Sequence, residues 1–111
     1  MPADANPNGD IFGGWLLSQM DLAGSVVAYE RASGRIATVA IDAMSFLQPV
    51  FVGDLVSCFA DVVRVGRTSM QVKVETYVRR RQGHDVVMVT RGLVTYVAID
   101  AGGRPRPVPP A

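Results

Sequence analysis

The residue types that could do chemistry here begin with one carboxylate. Asp21 falls inside the run Trp15 to Arg31, which contains no proline and is bounded by Gly13-Gly14 before it and Gly34 after it. Trp15, Leu16, Leu17, Met20, Leu22, Ala23, Val26, Val27 and Ala28 cover most of a helical circumference, so a buried helix is predicted. An acid there is no helix cap, since about two turns separate it from Gly14. The helix interior offers no basic partner, and Arg31 and Arg35 lie beyond reach. Because an unpaired buried carboxylate is costly, Asp21 is predicted to be kept for chemistry, as a base or a nucleophile.

Gly13-Gly14 supply a second element. The first N–H groups of a helix lack internal partners and carry the positive end of its dipole. Glycine lets a carbonyl or phosphate come close to them. Gly14 and Asp21 are nonetheless about 10 Å apart along a helix rising 1.5 Å per residue, so one reacting carbonyl cannot touch both. A two-fold dimer with antiparallel helices would set Gly14 beside the partner subunit's Asp21.

Other chemistries find little support. Cys58, the only cysteine, sits in the apolar run Leu55 to Val65 with no base nearby in sequence and reads as packing; it excludes an intramolecular disulfide and points to a reducing compartment. His84, in the turn Gly83-His84-Asp85, reads as exposed. No spacing of His, Cys, Asp or Glu suits a metal. The net charge of +1 gives no bulk attraction to nucleic acid. Arg79, Arg80 and Arg81 read as an outward, solvated strand end. No stretch nears the roughly 20 apolar residues that span a bilayer, and no signal peptide opens the chain, so a soluble, cytoplasmic protein without membrane contact is expected.

The elements that must position these residues follow from pattern. With 111 residues, 49% hydrophobic and 19% charged, one globular domain is expected. Residues 1–12 are a turn-rich loop and 13–33 the central helix; strands fill 35–99, and 100–111 is a Pro-rich tail. Within 35–99, strands are predicted at Arg35 to Met44, Leu55 to Val65, Thr68 to Arg81 and Val86 to Ile99, with Phe46 to Asp54 as a connection. In the third, Met70, Val72, Val74, Thr76 and Val78 share one face. One helix followed by four strands with short turns is an α+β arrangement: an antiparallel sheet curled around a helix, a second subunit closing the remainder.

The run Asn6-Pro7-Asn8-Gly9-Asp10-Ile11-Phe12-Gly13-Gly14-Trp15, continuing to Ser18-Gln19-Met20-Asp21, resembles the N-terminal signature of hotdog-fold acyl-CoA thioesterases, nearest the bacterial YciA type. The resemblance continues through Met44-Ser45-Phe46, Pro49, Gly53-Asp54, Val65-Gly66-Arg67-Thr68-Ser69, Gly103-Arg104 and Arg106. It implies a hotdog fold and hydrolysis of acyl-CoA to free acid and CoA, with no metal or redox cofactor. Asp21 takes the place of the catalytic carboxylate, Asn6 that of the asparagine working opposite it, and the Gly14 N–H polarises the thioester oxygen. Arg67, Thr68 and Ser69 match the turn that meets the nucleotide end of CoA, with Arg104 and Arg106 as phosphate partners. A homodimer assembled as a trimer of dimers is implied. The alternative is a non-catalytic acyl-CoA-binding or regulatory hotdog module. The family's strand before this region and its helical tail after the last strand lie outside the 111 residues, and Pro7 stiffens the loop that holds Asn6.

Overall fold

Four-residue spacing decides how the helix packs. In α1, Gly13–Ala32, the residues Leu16, Met20, Gly24, Ala28 and Ala32 form one buried stripe. Three of the five are Gly or Ala, so the helix can lie close to whatever it packs on. Its end is closed by two bonds, Ser33 N–H to Glu30 O and Gly34 N–H to Tyr29 O, both 3.2 Å. Ser33, at φ 54°, takes the left-handed position of this cap, one residue before the glycine that signals the stop. A computed structural model describes residues 13–81, 83 and 85–111 of the chain.

The stripe rests on one four-stranded antiparallel sheet made of β1 (Ile36–Phe46), β2 (Leu55–Val65), β3 (Ser69–Arg79) and β4 (Val86–Ala98), in the order β1-β4-β3-β2. The inner face predicted for the third strand holds, with Met70, Val72, Val74, Thr76 and Val78 all buried. Val94, Tyr96 and Ala98 of β4 continue that face and meet Met20, Ala28 and Ala32 in the core. β1 runs past its predicted end, because Phe46 still pairs with Thr90 of β4. β1 is an edge strand with register shifts between Thr38 and Ala40 and between Asp42 and Ser45, and Ala43 has φ 51°.

The connection between β1 and β2 is built on Asp54. Its Oδ2 accepts from Arg80 Nη1 at 2.7 Å and from Phe51 N–H at 2.9 Å, and its Oδ1 accepts from Arg81 N–H at 3.4 Å. Arg80 Nη1 also reaches Pro49 O at 2.9 Å, and its guanidinium lies 5.0 Å from the centre of the Phe51 ring. Arg80 was expected to face solvent with its neighbours. It turns inward instead: the alternation that buries Met70, Val72, Val74, Thr76 and Val78 reaches residue 80 next, and Asp54 meets the guanidinium on that side.

The tail does not trail away. Ile99 bridges to Pro105, Arg106 N–H donates to Ala98 O at 2.9 Å, and Val108 N–H donates to Arg67 O at 2.8 Å. Arg31 Nη1 on the last turn of α1 donates to Pro109 O, so the tail straps the helix end to the sheet. The opposite side of α1 stays open, with Leu22, Val26 and Tyr29 exposed, and Val39 and Ile41 of β1 are exposed as well. A helix apolar all round is therefore covered on one side only by its own chain, because one sheet has one concave face.

Asp54→Ala is expected to lower stability by about 2–3 kcal/mol, since two main-chain N–H groups and a guanidinium lose their acceptor. Urea unfolding at fixed protein concentration measures it, and an unchanged midpoint would refute this account of the connection.

Candidate active site

Asp21 leaves α1 on the flank that faces β1, one residue round from the buried Met20. It is half-buried, and it is neither unpaired nor ion-paired. Thr38 Oγ1 donates to its Oδ1 at 2.8 Å. The Tyr96 hydroxyl lies 3.0 Å from the same Oδ1 and 2.8 Å from the main-chain oxygen of Asp21. Among the described residues the bonds to this carboxylate all arrive at Oδ1, leaving Oδ2 for another partner. Reading the sequence predicted a buried acid with no partner. The structure corrects this with two neutral hydroxyls brought in by the sheet, where Thr38 and Tyr96 sit directly opposite each other on β1 and β4.

Tyr96 itself is fully buried. Burial first, then the hydrogen bond to Asp21 and that residue's charge, push its phenol well above the ordinary tyrosine range. The ring fits beneath α1 because residue 24 is glycine: a Cβ there would stand 2.4 Å from the Tyr96 hydroxyl and 3.2 Å from Cε2 and Cζ. Neither Thr38 nor Tyr96 was found from the sequence. A signal existed for the second, since a tyrosine alternating with Val94 and Ala98 on a core face needs a partner for its hydroxyl. Thr38 carried no such signal.

At the start of α1, Gly14 is exposed, and among the described residues a Cβ there would meet nothing within 4 Å. No acidic residue occupies the first turn to neutralise the dipole. Gly13 lies against the Phe46 ring, where a Cβ would sit 3.4 Å away. Asn6, expected opposite Asp21, and His84 lie outside the described residues.

The predicted nucleotide turn and the tail do come together. Gly66 N–H to Ser69 O, 2.8 Å, closes the turn; Thr68 O accepts Ala98 N–H at 2.9 Å and Arg67 O accepts Val108 N–H. The side chains of Arg67 and Arg104 are exposed beside this junction. Arg106 is half-buried, with Nε donating to Ile99 O at 2.9 Å and Nη2 to Arg35 O at 3.5 Å, so its guanidinium also secures the tail. This corner adjoins Ala98 and Ile36, two strand positions beyond the Tyr96–Thr38 pair. Cys58 is half-buried with Sγ 3.4 Å from Thr76 Oγ1, against the core. Among the described residues no cluster of three or more His, Cys, Asp or Glu could hold a metal, and no helix is long and apolar enough to cross a membrane.

On spectrophotometric titration, the phenol of Tyr96 is expected to stay protonated past pH about 10, where a free tyrosine ionises. In the unfolded chain Tyr96 loses its proton first, so its contribution to stability is present below that pH and is lost as pH rises through the raised value. Loss of the late-titrating tyrosine in Tyr96→Phe identifies it; an unchanged titration curve contradicts the assignment.

Comparison with known proteins agrees with this fold. The family model of the thioesterase superfamily matches residues 8–90. The acyl-CoA thioester hydrolase YciA of Salmonella typhimurium is 48% identical over 112 residues, covering 98% of this chain and 84% of that protein. A hexameric thioesterase from Yersinia pestis superposes with a TM-score of 0.94 at 46% identity, over 99% of this chain and 90% of the other. A hexameric hotdog-fold thioesterase of Campylobacter jejuni gives 0.92 at 45%, over 98% of this chain and 84% of the other. With the helix lying in the curve of a four-stranded antiparallel sheet, the chain has the hotdog fold and belongs to the thioesterase superfamily.

Proposed function

We propose that this chain is an acyl-CoA thioesterase that hydrolyses the thioester to a free acid and CoA, with Asp21 as the reacting carboxylate. The observation that carries the reading is the state of Asp21: Oδ1 is occupied by Thr38 and Tyr96, while among the described residues Oδ2 has no bond and is left for a substrate or water. In the general-base route, Oδ2 takes a proton from water as the water oxygen attacks the carbonyl carbon. The C–S bond then breaks and the proton passes to the departing thiolate. In the nucleophilic route, Oδ2 attacks the carbonyl itself, expels the thiolate, and water hydrolyses the resulting anhydride. Either route needs the developing oxyanion held by N–H donors, which the open start of α1 at Gly14 supplies. The chemistry calls for no metal or redox cofactor. The similarity to acyl-CoA thioester hydrolases at 48% identity supports the substrate class.

One chain does not complete the site. The edge of β1, unpaired among the described residues, runs beside Asp21, and Val26 and Tyr29 of α1 line an apolar strip with Ile36 of β1. Two-fold pairing of β1 edges continues the sheet, covers the strip, and lays the two helices antiparallel, with Gly14 facing the partner subunit's Asp21. Three such dimers make a hexamer, the state of the Yersinia pestis and Campylobacter jejuni thioesterases. Asn6 works opposite the carboxylate. Arg67, Thr68 and Ser69, with Arg104 and the remaining donors of Arg106, meet the phosphates of CoA at the corner where turn and tail join.

Thiol release from a series of acyl-CoAs, acetyl to palmitoyl, tests the reading. Asp21→Ala is expected to lower kcat by roughly a hundredfold or more while light scattering shows the assembly unchanged. Full activity in that variant removes Asp21 from the chemistry. Tight acyl-CoA binding without turnover by the unaltered protein favours the binding module instead.

A further inference from the structure

A carboxylate has two equivalent oxygens and a side chain that rotates, so a reacting Asp on a half-open helix flank needs something to decide which oxygen reacts and where it points. Among the described residues two hydroxyls address the same oxygen. Thr38 donates to Oδ1 from β1 at 2.8 Å, and Tyr96 stands 3.0 Å from Oδ1 out of the core. Their approaches come from adjacent strands, and together they leave rotation about the side-chain torsions little freedom. Tyr96 is itself anchored, being fully buried and within 2.8 Å of the main-chain oxygen of Asp21. The phenol therefore spans the backbone and the carboxylate of one residue, which fixes the side chain relative to its own helix.

The sequence carries a cost for this arrangement. Glycine in a helix interior is unfavourable relative to alanine, yet Gly24 lies one turn beyond Asp21, directly over the ring. A Cβ at position 24 would stand 2.4 Å from the Tyr96 hydroxyl, so any other residue would push the phenol off the carboxylate. Simple core filling does not account for this. A phenylalanine at 96 would fill the same space, spare the buried hydroxyl, and ease the contact over residue 24.

We infer that Tyr96 and Thr38 are positioning residues of the hydrolysis: they fix Asp21 Oδ1 so that Oδ2 alone is presented to the substrate, and Gly24 exists to let the Tyr96 hydroxyl reach it. This rests on Asp21 being the reacting carboxylate. It holds for both routes above, since each uses a single oxygen as base or nucleophile. Geometric control of this kind acts on the reacting step and not on the capture of CoA, whose nucleotide end lies at the Arg67 corner.

The test uses the assembled protein and the acyl-CoA that it turns over fastest. Tyr96→Phe and Thr38→Val are each expected to lower kcat roughly ten- to hundredfold, the scale of losing one hydrogen bond to a charged group, with KM changed less than about threefold. Thr38→Ser, which restores a hydroxyl, is expected to recover most of the rate. Gly24→Ala is expected to reproduce the loss seen in Tyr96→Phe, and combining the two to add little further. In an Asp21→Ala background, Tyr96→Phe is expected to leave the residual rate unchanged. Undiminished kcat in Tyr96→Phe and Thr38→Val, alongside an inactive Asp21→Ala, overturns this inference and leaves the thioesterase reading standing. An active Asp21→Ala overturns that reading itself. Should Thr38→Ser fail to recover the rate lost in Thr38→Val, or should kcat and KM change together in Tyr96→Phe, the two residues serve the fold only.

Discussion

Leu16, Met20, Gly24, Ala28 and Ala32 recur at four-residue intervals, and that interval sets a single stripe of α1 down on the inner face of β3 and β4. How close the helix comes is governed by the small members of the stripe. Where Gly24 passes over Tyr96 the approach is tight enough to exclude a methyl group. Once the stripe is seated, the flanks have no choice of direction. Trp15 and Ala23 lean toward β2, and Asp21 leans toward β1. The angular position of the carboxylate, its distance from Thr38, and the reach of the tyrosine hydroxyl all follow from this one packed seam. A rotation of the helix by a single residue would put Leu22 where the acid now stands.

The same seam explains what the chain leaves undone. A helix with an apolar stripe on one side and Leu22, Val26 and Tyr29 on the other exceeds what one curved sheet can cover. The acid sits at the boundary between the covered and uncovered sides. That placement lets it be held by core hydroxyls and still face outward. A site sunk into the core would be better ordered but closed to a substrate as large as a CoA ester; one on the open side would be accessible but unheld.

Much of the architecture was legible because it rests on local periodicity. The inner face of β3 follows directly from Met70, Val72, Val74, Thr76 and Val78 alternating with polar residues, and the single helix follows from its proline-free apolar run. Asp21 and Gly14 were legible as anomalies of type within that run. What escaped were relations between distant segments. Thr38 becomes a partner of Asp21 only because β1 takes the edge beside β4, and strand order is not written in alternation. Arg80 looked like one of three solvated arginines, but as the even residue after Val78 it falls on the inner side, and the partner waiting there, Asp54, comes from a distant connection. The composition of the Pro-rich tail did not say where it docks, and Arg106 and Val108 retain the N–H groups that tie it to Ala98 and Arg67. The helix ends at Ala32, one residue short of the predicted 33, because Ser33, with its short polar side chain, takes the left-handed position ahead of Gly34.

The irregular edge of β1 has a consequence for which neighbours the chain can tolerate. A long, flat, apolar edge strand is a template for any other extended chain. Between Thr38 and Ala40, and again between Asp42 and Ser45, the ladder to β4 slips, and Ala43 bends the strand through a left-handed residue. These interruptions alter twist and throw the outward N–H and C=O groups out of the even spacing that a regular strand expects. A foreign strand laid along β1 would fall out of phase within a few residues. The bulges thus guard a sticky edge against indiscriminate pairing and aggregation.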